Sequence, residues 1–279
     1  MSENPDMGHP AIIGMRYFMN ARCLCTLVAA IGLMSVSLAD GQEQTGRLIF
    51  EVASIRPSQP GLRGGSVKPL PGGTGYSVQN IPVKLMISLM YKVPMSQIVG
   101  GPDWLNSENY DIEARTDRPY GIDDLHTMFQ SLLADRLKLK FHKEIKEGPV
   151  YALMIDKSGL KMKADGKGQN LAIPIVPGAG NEFIGTRVPM QYLCWWLTQQ
   201  LDDSRPVIDK TDLNDSYDFT LAFAPELPPD VPRENLPTKS QDRPSIFDAL
   251  KEQVGLKLVA QKGPVASFVI DHVDRPSEN

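Results

Sequence analysis

The fold is decided by the stretch Tyr76-Ser-Val-Gln-Asn-Ile-Pro82-Val-Lys-Leu-Met86 and by its later echo, Phe183-Ile-Gly-Thr-Arg-Val-Pro189-Met-Gln-Tyr-Leu193. Pro82 and Pro189 are separated by 107 positions (189 − 82). The same offset separates Tyr110-Asp-Ile-Glu-Ala114 from Tyr217-Asp-Phe-Thr-Leu221. A shared offset at two separate landmarks indicates an internal duplication, the feature of a sequence that most constrains its architecture.

The sequence of each copy predicts a strand, a helix, a second strand, a second helix and two closing strands. The predicted class is therefore α+β, with two pseudo-repeated β-α-β-α-β-β modules whose small mixed sheets pack against helices. Apolar residues at helical spacing predict the second helix of the first copy: Leu125, Met128, Phe129, Leu132 and Leu133. The first helix of the second copy is predicted by Met190, Leu193, Cys194, Leu197 and Leu201. Ser245 and Asp248 resemble a capping box. Gly148-Pro149 and Gly263-Pro264 each predict a hairpin turn between closing strands.

These patterns predict four segments. Residues 1–39 form a signal peptide, with 1–14 as an upstream extension, and residues 40–159 form the first module. Residues 160–180 form a linker, and residues 181–279 form the second module. A Pro-rich insertion at 225–244 interrupts the second module, and we expect it to be extended because proline restricts φ and lacks an N–H group.

The N-terminal segment predicts export. Arg16 and Arg22 come before or at the start of the apolar run 23–39, which ends in the small-residue pattern Ser37-Leu38-Ala39. We expect a periplasmic or extracellular protein, with an uncleaved N-terminal anchor as the alternative. No later segment predicts a membrane span. Of three cysteines, only Cys194 would remain after cleavage, so no internal disulfide is expected.

Composition and motifs exclude several classes of function. A net charge of −4 without a basic run does not predict a nucleic-acid partner. No histidine has a second ligand at metal-binding spacing, so neither a metal nor a cofactor is predicted. His126 falls on a predicted helix and is interpreted as a polar or half-buried side chain. Phosphate-loop and nucleophile-elbow motifs are also missing.

Two segments stand out as binding candidates: Gly100-Gly101-Pro102-Asp103-Trp104, and the later run with Arg205, Asp209 and Thr211. Trp104 predicts either a buried anchor or an exposed contact, since tryptophan is enriched in binding hot spots. Asp209 and Thr211 also fit a tight turn bonded to local backbone. Adjacent residues of a helix point about 100° apart. We therefore expect Trp195 and Trp196 to face different partners, one ring its own core and the other the neighbouring copy.

The chain resembles a secreted, soil-associated bacterial family of unknown function. The motifs that carry the likeness are Phe50 to Pro57, Gly100 to Trp104, Leu132 to Arg136, Arg205 to Thr211, Tyr217-Asp218-Phe219 and the ending Val269 to Asn279. In that family the domain can follow a membrane-embedded metallopeptidase sensor, which implies extracytoplasmic sensing. More loosely, each copy is similar to the short N-terminal domain of secretins and TonB-dependent receptors, which binds protein partners and is not an enzyme.

The sequence therefore predicts an exported, non-enzymatic binding or sensing protein that recognises a protein or cell-envelope partner. Two alternatives stay open. One is a secreted hydrolase that uses acidic residues around Asp103 or Asp209. The other is an envelope protein that associates with itself.

Overall fold

The computed structural model describes residues 47–276 except 167–169, 171, 180–181, 202, 204 and 225–242. The signal peptide predicted at 1–39, its extension and nearly all of the Pro-rich insertion predicted at 225–244 lie outside the described residues. The described part of the chain has an α+β fold with three four-stranded sheets. None of its helices is both long and apolar enough to span a membrane.

The described residues before position 140 form five strands, three α-helices and two short 3-10 helices, Pro71–Gly73 and Met95–Gln97. Their bounds are β1 Val52–Pro57, β2 Ser66–Pro69, β3 Gly75–Pro82, α1 Val83–Tyr91, β4 Ile98–Gly100, α2 Trp104–Ser107, β5 Asn109–Arg115 and α3 Ile122–Arg136.

The described residues from position 140 onward form seven strands and two helices. Their bounds are β6 Lys140–Ile155, β7 Lys163–Ala164, β8 Ile175–Pro177, β9 Phe183–Pro189, α4 Met190–Gln200, β10 Val207–Asp209, β11 Ser216–Leu221, α5 Ile246–Ala249 and β12 Leu256–His272. A π-helical turn, Leu250–Val254, continues α5. The segment predicted as a linker at 160–180 contains β7 and β8, which are too short to show an alternating pattern.

The two outer sheets have the same strand order, β1-β5-β3-β2 and β7-β11-β9-β8. In each, a bulge precedes the proline that starts a helix. The Asn80 N–H donates to Asp111 at 2.9 Å, and the Arg187 N–H donates to Asp218 at 2.8 Å. Asn80 and Arg187 both have positive φ, 53° and 49°. Both hydrogen-bonded pairs keep the offset that separates Pro82 from Pro189, so one local backbone geometry occurs at matching positions.

The central sheet has the order β10-β6-β12-β4 and is built on one long antiparallel ribbon. β6 and β12 pair along their lengths, with Gly148 directly opposite Gly263. The predicted hairpin turns at these glycines are therefore wrong, because each strand continues through its Gly-Pro pair. Proline is tolerated there because, within the described part of the chain, β10 pairs with 151–153 and β4 with 268–270, and the middle of the ribbon has no outer neighbour.

Each strand of the ribbon runs from one hydrophobic core to the other. The first core contains Phe129 of α3 together with Phe268 and Ile270 from the end of β12. The second core contains Leu250 together with Leu153 from the end of β6. The first core thus receives the end of β12 from more than a hundred positions away, and the second core receives the end of β6, the strand that follows α3. The predicted apolar stripes of α3 and α4 are buried in these cores, and the Ser245 hydroxyl accepts the Asp248 N–H as the capping motif predicts.

Lys138 occupies a position where glycine should stabilise the fold. It follows the end of α3 with φ of 53° and an exposed side chain, and the Leu139 N–H returns to the Leu133 carbonyl. A left-handed residue at this site favours glycine, which has no Cβ to strain. We expect Lys138→Gly to raise the free energy of unfolding by about 0.5–1 kcal/mol in urea titrations. Lys140→Gly, in the extended β6, is the control and should lower it.

Candidate functional site

A cavity of about 70 Å³ lies where elements of the first core meet elements of the second. We call it the junction cavity. Residues on the first side are Val67, Tyr76, Leu89, Met90, Ile122 and His126. Residues on the second side are Ile173, Pro174, Tyr192 and Trp195. The lining is mainly apolar and aromatic with a few polar atoms, which is the usual composition of a small-molecule site.

His126 and Tyr76 form a buried polar pair in this lining. The Tyr76 hydroxyl and His126 Nε2 are 2.9 Å apart, and the two rings stack with centroids 5.9 Å apart. Burial raises the pKa of Tyr76. Burial, together with a smaller effect from the positive charge of Lys92, lowers the pKa of His126 to about 4. Both side chains are therefore uncharged at neutral pH.

Two buried nitrogen atoms of the lining residues have no hydrogen-bond partner among the residues that the structure describes. They are Nδ1 of His126 and Nε1 of Trp195. Leaving a buried polar group unpaired costs about 1–3 kcal/mol, and most such groups in folded proteins are paired.

Charges beside the cavity are compensated. Lys92 Nζ lies 2.7 Å from a carboxylate oxygen of Asp123 and 5.7 Å from the centroid of the Tyr192 ring. Burial, with a smaller effect from Asp123, raises the pKa of Tyr192 to about 12. This ion pair connects α1 to α3 and places its cation over a ring of α4.

The junction also has direct hydrogen bonds across it. The Ile122 N–H, at the start of α3, donates to the Asn170 carbonyl at 2.6 Å. The Asn170 side-chain amide in turn donates to the Arg187 carbonyl at 3.0 Å. Asn170 therefore links the helix that carries His126 to the bulge that precedes α4, which carries Trp195.

A comparison with models of protein families identifies the family of this chain. The family described as a protein of unknown function, DUF3738, matches residues 84–273. The chain belongs to the DUF3738 family. No curated protein and no solved structure matches it. The matched range of this DUF3738 chain includes most of the junction cavity, from Leu89 to Trp195, whereas Val67 and Tyr76 precede it.

The first predicted binding segment begins at Gly100, the last residue of β4, at one edge of the central sheet. Gly100, Gly101, Pro102 and Asp103 are exposed, and both glycines have φ of 77°. Trp104 is buried in the first core, where its ring meets the Tyr110 ring at 6.3 Å and the Arg275 guanidinium lies 5.4 Å from its centroid. In the DUF3738 chain Trp104 thus packs as a structural anchor, while the Gly-Gly-Pro-Asp turn before it is open to solvent.

The second predicted segment forms the tight turn that its sequence also predicts. Asp209 accepts from the Thr211 N–H at 2.9 Å and from the Thr211 hydroxyl at 2.7 Å. Thr211 is buried, and its hydroxyl oxygen accepts the Leu213 N–H. Arg205 pairs with Asp203 at 3.0 Å and lies over the Tyr151 ring. These contacts hold the chain in place on both sides of β10.

The structure does not bring the two predicted segments together. β4 and β10 lie at opposite edges of the central sheet. Gly100 pairs with Ile270 of β12. Asp209 pairs with Leu153 of β6, which in turn pairs with Leu258 of β12, so Ile270 and Leu258 mark the levels of the two segments along β12. At ~3.3 Å per residue, these two levels are about 40 Å apart along β12. Asp103 and Asp209 therefore cannot act as a pair of catalytic carboxylates.

Part of the junction cavity follows from the sequence and part does not. Trp196 packs in the second core against Phe183, whereas Trp195, at the edge of that core, lines the cavity together with residues of the first side. Their adjacent helical positions predict such a difference in direction. His126 was expected only as a half-buried polar side chain. Nothing local indicates that it meets Tyr76, because the two are 50 positions apart and on different elements.

Other features of the described residues offer less chemistry. No three His, Cys, Asp or Glu side chains among them are placed to hold a metal ion. Burial, followed by the charge of Asp209, raises the pKa of the Cys194 thiol to about 12, so this thiol is a poor nucleophile. A larger cleft of about 540 Å³ lies beside Arg56, Asp111 and Glu113, but both carboxylates are already hydrogen-bonded within the protein.

Asp209 can be tested as a structural residue. Asp209→Ala removes the acceptor for two Thr211 hydrogen bonds, one of them from a buried N–H, and we expect the free energy of unfolding to fall by about 1–2 kcal/mol. Chemical denaturation measures this loss, with the exposed neighbour Lys210→Ala as the control. If Asp209→Ala kept full stability but abolished a hydrolytic activity, the structural assignment would be wrong.

Proposed function

We propose that this chain is an exported, non-enzymatic binding or sensing protein, built by internal duplication, whose ligand occupies the junction cavity. The observation that carries the proposal is an apolar cavity between two separate cores with two unpartnered nitrogen atoms among its lining side chains. A ligand held there touches α1 and α3 on one side and α4 on the other. Binding would then change the contact between the two cores, which is a physical basis for sensing.

Two further observations support the finer parts of the proposal. The matching strand orders and bulges of the outer sheets support duplication. The positively charged start and the apolar run 23–39 support export. Asp103 and Asp209 lie too far apart to act together, so the hydrolase alternative would have to rely on acidic residues around one of them alone.

The test is native mass spectrometry of the protein after incubation with small molecules extracted from its own periplasm. We expect an added mass on the wild type that is lost in Ile173→Phe, because a larger side chain fills the cavity. Ile184→Phe makes the same change at an exposed position of β9 and should keep the added mass. The proposal fails if no mass is added while a panel of chromogenic hydrolase substrates is turned over.

A second mode of recognition is favoured by the ribbon. Among the described residues, the stretch 256–266 of β12 pairs only with β6, so its other edge is open. Open strand edges recruit a strand from a partner protein. This edge offers the protein or cell-envelope partner a place to bind. Pull-down of the mature protein from periplasm, with proline substituted for exposed Val259 as the variant, tests whether such a partner is lost.

A further inference from the structure

The outer edge of β6, the edge that faces away from β12, is open over the first half of the strand. Among the described residues, β10 pairs with 151–153 on this edge, and no strand pairs with 141–147 there. An open strand edge is a template on which another strand can pair.

The backbone groups of alternate residues point toward this edge. The Tyr151 N–H donates to the Pro206 carbonyl, and the Leu153 carbonyl accepts the Lys210 N–H, both at 2.9 Å. Odd-numbered residues of β6 therefore direct their N–H and C=O groups away from β12. Because the register with β12 is unbroken from position 141 to position 155, the same alternation holds in the open part of the strand.

The open edge of β6 suits a new strand better than the open edge of β12 does. On β6, Lys143, Ile145 and Glu147 each present an N–H and a C=O group, and Pro149, which has no N–H, lies beyond them. On β12, Pro264 pairs with Glu147 and so points outward in the middle of the open stretch. Proline cannot donate to a strand pairing, so it interrupts the ladder on that side.

The open stretch of β6, Lys143-Glu-Ile-Lys-Glu147, is complementary in charge to its own reverse. Two copies aligned antiparallel about Ile145 place Lys143 opposite Glu147 and Glu144 opposite Lys146, on both sides of the axis. This register also brings the outward N–H and C=O groups of 143, 145 and 147 opposite one another. Opposite charges directly across two strands stabilise the pairing, and like charges destabilise it.

The side chains of this stretch are accessible to a second copy. Glu144 is half-buried, and the other four are exposed. Lys146 Nζ lies 2.6 Å from a Glu144 carboxylate oxygen, so the alignment would join two such pairs into an alternating cluster of four charges. Ile145 is 71% exposed, the most of any large apolar side chain among the described residues. At the axis, Ile145 would lie against Ile145 of the other copy and leave water, which is favourable.

The charge pattern selects a second copy of the chain over other strands. Charged side chains on an open edge normally prevent pairing with a strand whose charges do not match. The open stretch 256–267 of β12 carries Lys257 and Lys262 and no acidic residue, so two copies aligned there would bring only like charges together.

We propose that residues 143–147 of β6 bind the same residues of a second copy of this chain, antiparallel, in a two-fold symmetric dimer whose central sheets join through β6. Such an interface uses the same patch on both protomers. The inference goes beyond the proposed function and does not rest on it. The open edge of β6 shares no residue with the junction cavity, so a ligand and a second copy can be bound together.

Sedimentation equilibrium of the exported protein from about 1 to 500 μM tests the dimer. We expect a reversible dimer with a Kd of roughly 10–100 μM, because an interface of one short strand pair is small. Lys143→Glu combined with Lys146→Glu, the acidic variant, places like charges at all four charge pairs and should weaken the dimer at least ten-fold. Lys257→Glu combined with Lys262→Glu makes the same charge change on β12 and should leave the Kd unchanged.

A reciprocal variant separates loss of pairing from loss of folding. Glu144→Lys combined with Glu147→Lys, the basic variant, should also be monomeric by itself. An equimolar mixture of the acidic and basic variants restores opposite charges at every pair, so we expect the mass of a dimer to return on mixing.

A disulfide tests the register. Two Cα atoms opposite each other at the axis are about 5.5 Å apart, within the range that a disulfide spans, so Ile145→Cys should give a covalent dimer on mild oxidation. Ala266→Cys is the control: Ala266 is exposed and pairs with Ile145 on β12, and the two copies of it would be three strand spacings, about 14 Å, apart. Cys194 is buried.

A wild type that stays monomeric at about 500 μM would overturn the dimer and leave this edge to a strand of a different protein. An acidic variant that dimerises as tightly as the wild type, or a mixture of the two charge variants that stays monomeric, would overturn it as well. Covalent dimers from Ala266→Cys but not from Ile145→Cys would show that the copies meet elsewhere.

Discussion

Replacing Gly255 by alanine is expected to lower the free energy of unfolding by about 3 kcal/mol or more. Gly255 ends the π-helical turn with φ of 74° and leads into β12. A Cβ there would overlap the carbonyl oxygen of Gly159. A left-handed non-glycine residue costs about 1–2 kcal/mol, and forcing backbone apart in a packed region costs about 1–3 kcal/mol more. Urea unfolding at neutral pH measures the loss.

The control for this prediction separates strain from overlap. Gly61 has a similar φ of 83°, but a Cβ placed on it meets no atom within 4 Å. Gly61→Ala should therefore show only the conformational cost, about 1 kcal/mol. Equal losses for the two variants would show that the contact between Gly255 and Gly159 does not constrain the fold.

The protein should also lose about 3 kcal/mol of stability between pH 7 and pH 4 because of His126. Its pKa is about 4 in the folded protein and 6.5 in the unfolded chain. Between these values the unfolded chain binds more protons, so stability is complete above pH 6.5 and is lost as the pH falls to 4. The difference in pKa sets the size of the effect. Thermal unfolding measured at a series of pH values between 7 and 4 gives this loss of stability.

Two variants isolate this histidine from the carboxylates that titrate in the same range. His126→Gln can still bond Tyr76 but does not titrate, so its stability should fall less than that of the wild type below pH 6.5. His142 is exposed, and hydrogen bonding to Asp271 raises its pKa, so its contribution is present at low pH and is lost as the pH rises. His142→Gln should therefore change the profile in the opposite direction. Parallel curves for wild type and His126→Gln would contradict the buried, neutral histidine.

Local patterns predicted the two longest helices, α3 and α4, and the cap of α5. The stripes of α3 and α4 are buried as their spacing predicts, since a helix places residues three and four apart on one face. Ser245 caps α5 for the same kind of local reason. The α+β class also follows from the sequence, because helical and strand patterns alternate along the chain. That alternation can be recognised without knowing which strands pair.

The pairing of strands could not be read in the same way. Gly148-Pro149 and Gly263-Pro264 are typical of turns, yet both lie inside strands of the central ribbon. At a Gly-Pro pair the chain either forms a turn or continues as a strand, and which of the two occurs depends on whether another strand lies opposite to pair with it. Here the strand opposite comes from more than a hundred positions away, which no local pattern can show.

The sequence by itself determined α3 and α4, the two proline-led strand-to-helix junctions and the different directions of Trp195 and Trp196, because each depends on neighbours within a turn or two of chain. Only the tertiary structure decided that β6 and β12 exchange ends between the cores, and that His126, Tyr76 and Trp195 line one cavity. The physical reason is that long-range pairing and burial depend on surfaces assembled from distant segments. The pKa of His126 and the unpaired nitrogen of Trp195 arise from that assembly.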